Sequence, residues 1–561
     1  MKPPVKLLYV FLMPAILLSC KGKNTSPSKE VISQLDLKRG DIISCGPPDA
    51  QFGYVDFDMT CNEKAKNDFN LAVELLHSFE YDQAEKIFAK IIDETPDCAM
   101  AYWGVAMCNF HPLWNPPGEA ELEKGAKAIA VANAINTKSA RESGYINAIG
   151  LFYKDWDKKD HHTRCIYFEK AMEQLYIKYP GDHEAAIFYA LALDAAAEPT
   201  DKTYPNQKKA GDLLNALYKI EPNHPGIIHY IIHTYDYPGL AILALPAARK
   251  YAAVAPSSAH ALHMPSHIFT RLGLWDEAIH SNLQSITAAK CYAESADIPG
   301  HWAEELHSLD YLTYAYLQKG DNKLAEEQVK YLNTIKQVYP ADFKVAYAFA
   351  AIPSRYLLEN KKWKEAASLQ VPPANISWNK FPWQEAIIHF TRLLGAAHTG
   401  KLDSAKWELK QLNRLRDTLQ KEKDFYKSKE IEIQIKTGEA WIQFESANKD
   451  SALNKMKLAA NMEDSTNKHP VTPGEVLPAR ELLGDMLLQM KKNEEALNAY
   501  ETVLTKSPNR FNSLYNAGVA SIKLGDKQKT AFYFKQLLTI ADPINSDRPE
   551  LTEARSFLKM R

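Results

Sequence analysis

The stretch from Leu482 to Asn509, "LLGDMLLQMKKNEEALNAYETVLTKSPN", decides the fold, because the chain repeats it directly afterwards. "NAGVASIKLGDKQKTAFYFKQLLTIADP", from Asn516 to Pro543, matches Gly484 with Gly518, Tyr500 with Phe534 and Leu504 with Leu538, each 34 residues apart. Apolar residues recur every three or four positions on both sides of the short turns "KKN" and "GDK". That pattern predicts two antiparallel helices per unit. The glycines stand where two helices cross closely. Each helix pair has an apolar face it cannot bury alone, so neighbouring pairs must stack.

Working outward, the period returns near the other end. "FNLAVELLHSFEYDQAEKIFAKIIDETPD", from Phe69 to Asp97, carries Ala84, Phe88 and Pro96 at the same offsets. Weaker copies are "LGLWDEA" from Leu272, "KGDNKLAEE" from Lys319 and "TGKLDSAKWELKQL" from Thr399. The 34-residue unit with a closing proline resembles the tetratricopeptide repeat (TPR). That resemblance implies an all-α, right-handed superhelical solenoid of TPR-like antiparallel helix pairs from about residue 64 onward. Longer connections are expected near 115–119 and 198–207. The expected organisation is a leader over 1–19, a tether over 20–44, a first array over 45–330 holding most of the histidines, middle repeats over 331–440 and C-terminal repeats over 441–561.

Composition agrees with this class. The 561 residues are too many for one compact core, and only 23 are glycine. With 67 basic and 69 acidic side chains, the net charge of −2 gives no nucleic-acid footprint. The first twenty residues, "MKPPVKLLYVFLMPAILLSC", are an exception to the soluble pattern. Lys2 and Lys6 precede an apolar run from Leu7 to Leu18 that is too short for a secure membrane span. The ending Leu17-Leu18-Ser19-Cys20 resembles a bacterial lipobox. That implies lipidation at Cys20 and anchoring in the cell envelope, at the outer membrane facing the periplasm. The competing reading is a short uncleaved anchor. Export implies an oxidising compartment, so a disulfide between Cys45 and Cys61 is expected across the loop-like segment between them. Cys98, Cys108, Cys165 and Cys291 sit in helical patterns and are expected as buried thiols.

Nine of the seventeen histidines fall between His224 and His307. "HYIIH", from His229, and "HALHMPSHIF", from His260, place imidazoles four residues apart, on one helix face. Aligning Ala278 with the small residue at position 20 of a TPR puts His260, His263 and His267 at positions 2, 5 and 9. The preceding unit lies 34 residues earlier and adds His229, His233 and Asp236; the following one adds His307 and Asp310. In the TPR family these positions face the concave groove. Histidine with carboxylate suits zinc, manganese, iron or copper, with Asp236 and Asp310 as ligands or as partners of the ligands. Eight such groups exceed one coordination shell, which leaves room for two ions or for acid–base work. A groove that binds a peptide or an acidic ligand without metal explains the same spacing. Pro265, between His263 and His267, removes a backbone donor and predicts a kink. His77, His389 and His398 are expected as ordinary satisfied histidines, and His161-His162, in "DWDKKDHHTR", as a solvated turn.

"CAMAYWGVAMCNFHPLW", "HEAAIFYALAL", "HPGIIHYIIHTYDYP", "HALHMPSHIFTRLGLW" and "ELHSLDYLTYAYLQKGD" together resemble a group of bacterial exported TPR proteins. The likeness runs from about Cys45 to Gly320, and the HxxHMPSHIF segment is its most specific part. It implies the solenoid and an envelope location, and no particular reaction. Where this chain has Asp310, the group has a second histidine of a His-x-x-His pair. Within the same blocks His111 is expected at the groove's rim. Glu184 and Asp194 bracket a helix from which a carboxylate can reach inward, though a helix-start acid and a turn residue are the simpler readings. No HExxH, GxSxG or Gly-rich phosphate loop occurs. Three functions follow: a lipid-anchored scaffold whose groove holds a protein or peptide partner or another ligand, with a metal ion; a metal-dependent hydrolytic or oxidative enzyme; and, between them, a metal-binding or metal-handling protein of the envelope.

Overall fold

The computed structural model describes residues 26–47, 51–198, 201–372, 374–541 and 546–559. The expected leader and the lipidation at Cys20 lie outside the described residues. Antiparallel helix pairs follow one another from Lys66–His77 with Tyr81–Glu94 to Phe511–Lys523 with Lys527–Ile540, and Pro549–Lys559 covers the last pair. The chain is therefore the expected all-α, right-handed superhelical solenoid of TPR-like pairs. Two residues of parallel strand, His301–Trp302 against Val338–Tyr339, are the one sheet among the described residues.

The repeat signature has a direct steric cause. A Cβ on Gly484 would stand 2.6 Å from the ring of Tyr500, and one on Gly518 would stand 2.3 Å from that of Phe534. The aromatic of each second helix thus packs onto the bare backbone of the first. Gly273 (φ 66°) and Gly320 (φ 81°) end their helices in the left-handed region, where glycine is cheap. The expected long connections are present: one pair is joined by residues 109–118 and another by 196–204. One second helix shrinks to Trp363–Ala366, followed by an irregular segment. A single apolar core runs through 347–554, with no break at 440.

The segment expected as a tether is ordered in part. Lys29–Ser33 forms a short helix capped by Ser28, and Leu35 and Leu37 are buried against the first repeats. The cysteine expectation is corrected as well. Cys45 bonds Cys291, and Cys61 bonds Cys98, so the Cys45–Cys61 bridge does not form. The segment between them is no closed loop. Residues 51–60 lie as an extended strap along successive repeats, with the Ser257 N–H donating to the Gln51 carbonyl, Tyr54 N–H to Asn223 O and Thr60 N–H to Glu142. Each end therefore meets a cysteine of a different repeat. Each bridge contributes about 2–4 kcal/mol, chiefly by restricting the unfolded chain. Cys108 and Cys165 are free and buried, as expected.

The coil also returns upon itself. Trp275 Nε1 donates to Asn509 O at 2.9 Å, Asn509 Nδ2 to Gly273 O at 3.1 Å, and Ser546 to Gly320 O at 2.6 Å. Arg510 is fully buried between Glu481 and Glu359, with 2.6–2.9 Å contacts to both carboxylates. Arg355 reaches Gly474 O at 2.8 Å. These bonds join the last repeats to the end of the first array and to the middle repeats.

Candidate metal centre

The helices that carry the histidines are fixed locally by their caps. His224 caps Pro225–Thr234 by accepting from Ile227 N, and Ser258 caps Ala259–His263 by accepting from Ala261 N. Pro265 interrupts the next helix as expected, dividing it into Ala259–His263 and Pro265–Leu272 around Met264. The break keeps His263 and His267 on one face, with their Nε2 atoms 3.1 Å apart.

All six histidines predicted for the groove face inward, but they group across helices rather than within them. His229, His233 and His260 form one triad, and His263, His267 and His307 form another. The rings of His233 and His267 are 6.4 Å apart, so the triads are adjacent. In the first, His229 Nε2 lies 2.9 Å from His233 Nε2 and 3.2 Å from His260 Nε2. In the second, the ring of His307 lies 4.3 Å from that of His263. His229 and His263 are fully buried and His267 and His307 nearly so. Burial first, then neighbouring imidazoles, holds His233, His260, His263 and His307 well below the ordinary histidine range. His229 is pushed down to about 3. The triads are neutral at pH 7.

The outer nitrogens determine what the inner ones can do. His263 Nδ1 lies 2.7 Å from Asn282 Oδ1, and Asn282 Nδ2 donates to Ala278 O, which fixes the amide's orientation. His263 Nδ1 is therefore the donor, and its Nε2 is a bare lone pair. His267 Nδ1 donates to Asp236 Oδ2 at 3.0 Å. Burial opposes ionisation of Asp236, but Lys468 and Arg271 override it and hold the carboxyl well below its usual range. His267 Nε2 is bare too. Likewise His229 Nδ1 donates to His77 O at 2.6 Å and leaves its Nε2 free to ligate. Lone pairs facing at 3.1 Å repel unless a cation lies between them. Tetrahedral ligands about 2.0–2.1 Å from an ion stand about 3.3 Å from one another. Imidazoles oriented by an outer hydrogen bond are the usual ligands of such ions.

The two aspartates, expected as ligands or as partners of the ligands, part company here. Asp236 orients His267 from behind instead of supplying a ligand. Asp310 forms a buried ion pair with Arg355, and burial still raises its carboxyl to about 6. A third cluster, His77, Glu184 and His224, escaped the sequence because its members are scattered over 147 residues (224 − 77). It differs from the triads in having no bare lone pair. His224 Nδ1 accepts from Ile227 N, so its Nε2 donates to Glu184 at 2.9 Å. The Tyr230 hydroxyl donates to His77 Nδ1, and His77 Nε2 donates to Glu184 at 2.9 Å. This network is satisfied without an ion, which fits the expectation for His77. Its contribution to the site is positional, through the His77 carbonyl. His389 and His398 are structural, one against Glu408 and the other stacked on Trp363. His161 departs from its expectation: it is half-buried at the start of a helix, 3.4 Å from both Cys165 Sγ and Pro112 O.

A cavity of about 200 Å³ adjoins the first triad at His260, walled by Phe79, His111, Trp114 and Lys344. His111 thus stands at the rim, as expected. Phe79 and His111 occupy left-handed turn positions (φ 58° and 43°), where most other turns of the described residues use glycine, lysine, aspartate, asparagine or alanine. A bulky residue there is strained, and such strain collects at functional sites. The Phe79 ring lies 4.5, 5.5 and 5.8 Å from those of His229, His233 and His260. It covers the first triad.

Asp194 also sits inward, half-buried, with Thr234 donating to one oxygen at 2.5 Å and the other, shielded from solvent, without a partner among the described residues. Burial raises its carboxyl to about 8. A raised folded value favours folding only below the unfolded value near 4, and stability is lost as pH rises from there to about 8. Asp194→Asn is therefore expected to stabilise the fold by about 1 kcal/mol or more at pH 7, with the gain vanishing near pH 4. Urea melts at the two pH values measure this; an equal effect at both would refute the assignment.

No protein-family model matches the sequence, and no curated protein matches it. Among solved structures, human IFIT1 as a dimer with m7Gppp-AAAA is similar at 10% identity and a TM-score of 0.33, covering 83% of this chain and 94% of that one. Yeast Tom70 is similar at 10% identity and 0.32, covering 89% and 96%. The APC/C hetero-tetramer Cut9–Hcn1 is similar at 12% identity and 0.30, covering 87% and 90%.

Proposed function

We propose that the protein is a metal-binding scaffold that holds two transition-metal ions in adjacent three-histidine sites on the inner face of its solenoid. One observation carries the reading: His263 and His267 present bare Nε2 lone pairs to each other at 3.1 Å, each ring fixed by an Nδ1–H that donates to an acceptor oxygen, Asn282 Oδ1 or Asp236 Oδ2. With Asp236 and Asp310 engaged elsewhere, the donors are imidazoles alone. That favours zinc, copper or iron over manganese, which takes oxygen ligands more readily. The resemblance of residues 45–320 to exported TPR proteins, the leader and the two disulfides support an envelope protein anchored through Cys20. The triads are too enclosed for a peptide, so a protein partner would dock on outer faces of the repeats. Elemental analysis after incubation with each metal and desalting tests the reading. Two ions per chain are expected, and the absence of any stoichiometric ion would overturn it.

A metal-dependent enzyme is the second reading, favoured by the cavity beside the first triad. Three protein ligands with one open position is the arrangement of catalytic rather than structural zinc. Metal-dependent turnover of small esters that is lost in His260→Ala would establish it.

A further inference from the structure

A second cavity, of about 400 Å³, lies where the last repeats meet the first array. Five cations line it: Lys202, Arg271, Lys468, Arg480 and Lys506. Their neutralisation is incomplete. Asp464 serves two of them, with Arg480 Nε at 2.9 Å and Lys506 Nζ at 2.7 Å. Asp236 serves two more, with Arg271 Nε at 2.8 Å and Lys468 Nζ at a long 3.4 Å, while also holding His267. Among the described residues Lys202 bonds the amide oxygen of Asn467 and no carboxylate. Of the carboxyls in the wall, Glu463 is spent on the backbone N–H of Ala479, and burial, then Glu475, pushes it well above its usual range. Five cations thus face Asp236, Asp464 and Glu475. Burial, then Lys506, Lys429 and Arg271, lowers Lys202, the signature of like charges crowding one space. Arg271 lines the cavity and uses Nε and Nη2 on Asp236, with no hydrogen bond of its Nη1 among the described residues.

We propose that this cavity binds a small multivalent oxyanion, a phosphate or a polycarboxylate, held by Lys202, Lys506, Arg480 and Arg271. Such an anion supplies the acceptors and the negative charge that the wall lacks. Tyr204 and Tyr237, with rings 4.6 Å apart, give the cavity an apolar side that admits a carbon skeleton. The site is distinct from the histidine triads and holds whether or not they bind metal.

Calorimetric titration of the full chain with inorganic phosphate, and separately with citrate, tests the proposal. Saturable 1:1 binding is expected for at least one of them, and the stronger of the two identifies the class. Lys202→Gln and Lys506→Gln should each weaken it by about tenfold, the size of one charge-assisted contact. Lys127→Gln, an exposed charge elsewhere, should leave it unchanged. No saturable binding of either anion, or equal affinity in all three variants, would overturn the proposal. The wild-type titrations decide even if a variant fails to fold.

Discussion

The double substitution His263→Ala/His267→Ala is expected to lower the metal content from two ions per chain to one, whereas His229→Ala removes the other ion. Each triad supplies three donors, and losing two leaves His307 alone in the second site. The third expectation comes from behind the ligands. Asp236→Asn keeps the shape but replaces an ionised acceptor by a neutral one, so His267 becomes a less basic ligand. Removing such an outer partner costs about 10–100-fold in metal affinity. Competition with a chelator reads all three, and far-UV circular dichroism checks that the helices persist. Loss of both ions from either histidine variant would replace two sites by one shared centre. Unchanged content in both would end the metal reading.

The second large effect concerns stability. Arg510→Ala is expected to cost about 3–5 kcal/mol, because it leaves Glu359 and Glu481 as buried carboxylates without their cation. Arg510 also touches Tyr314, so one side chain ties three parts of the coil together. Chemical denaturation followed by helix signal measures the loss. A triple variant, Arg510→Met with Glu359→Gln and Glu481→Gln, should recover much of it, since the cost lies in unpaired charge rather than in the pair itself. A loss below about 1 kcal/mol for Arg510→Ala would mean that water reaches these carboxylates.

The contrast between what could and could not be read from the chain has a physical basis. The helix pairs were legible because Gly484 with Tyr500, and Gly518 with Phe534, solve a local packing problem at a fixed spacing. The inward direction of His229, His233, His260, His263, His267 and His307 followed from the same spacing, since helical phase is local. Their partition was not legible. Whether His260 joins His229 or His263 depends on the offset between neighbouring first helices, which the superhelix sets. Asp310 shows the same limit, because its partner Arg355 lies one repeat further on. The Cys45–Cys291 bridge spans 246 residues and depends on the path of an extended strap with no periodicity. The Arg510 clamp depends on the coil meeting itself, a property of accumulated curvature and not of any one repeat.

That self-contact bears on how an ion would come and go. While the first triad borders the cavity at His260, the helices that carry the buried second triad are held to the last repeats by the bonds of residues 509–511 to 273–275, Gln318 and Glu359. Exchange at the second triad would then be paced by the opening of this seam, and the free energy that holds the seam shut would appear as residence time. Loosening it at Arg510 should speed the release of an ion that no altered side chain touches, turning a lasting store into a quick donor.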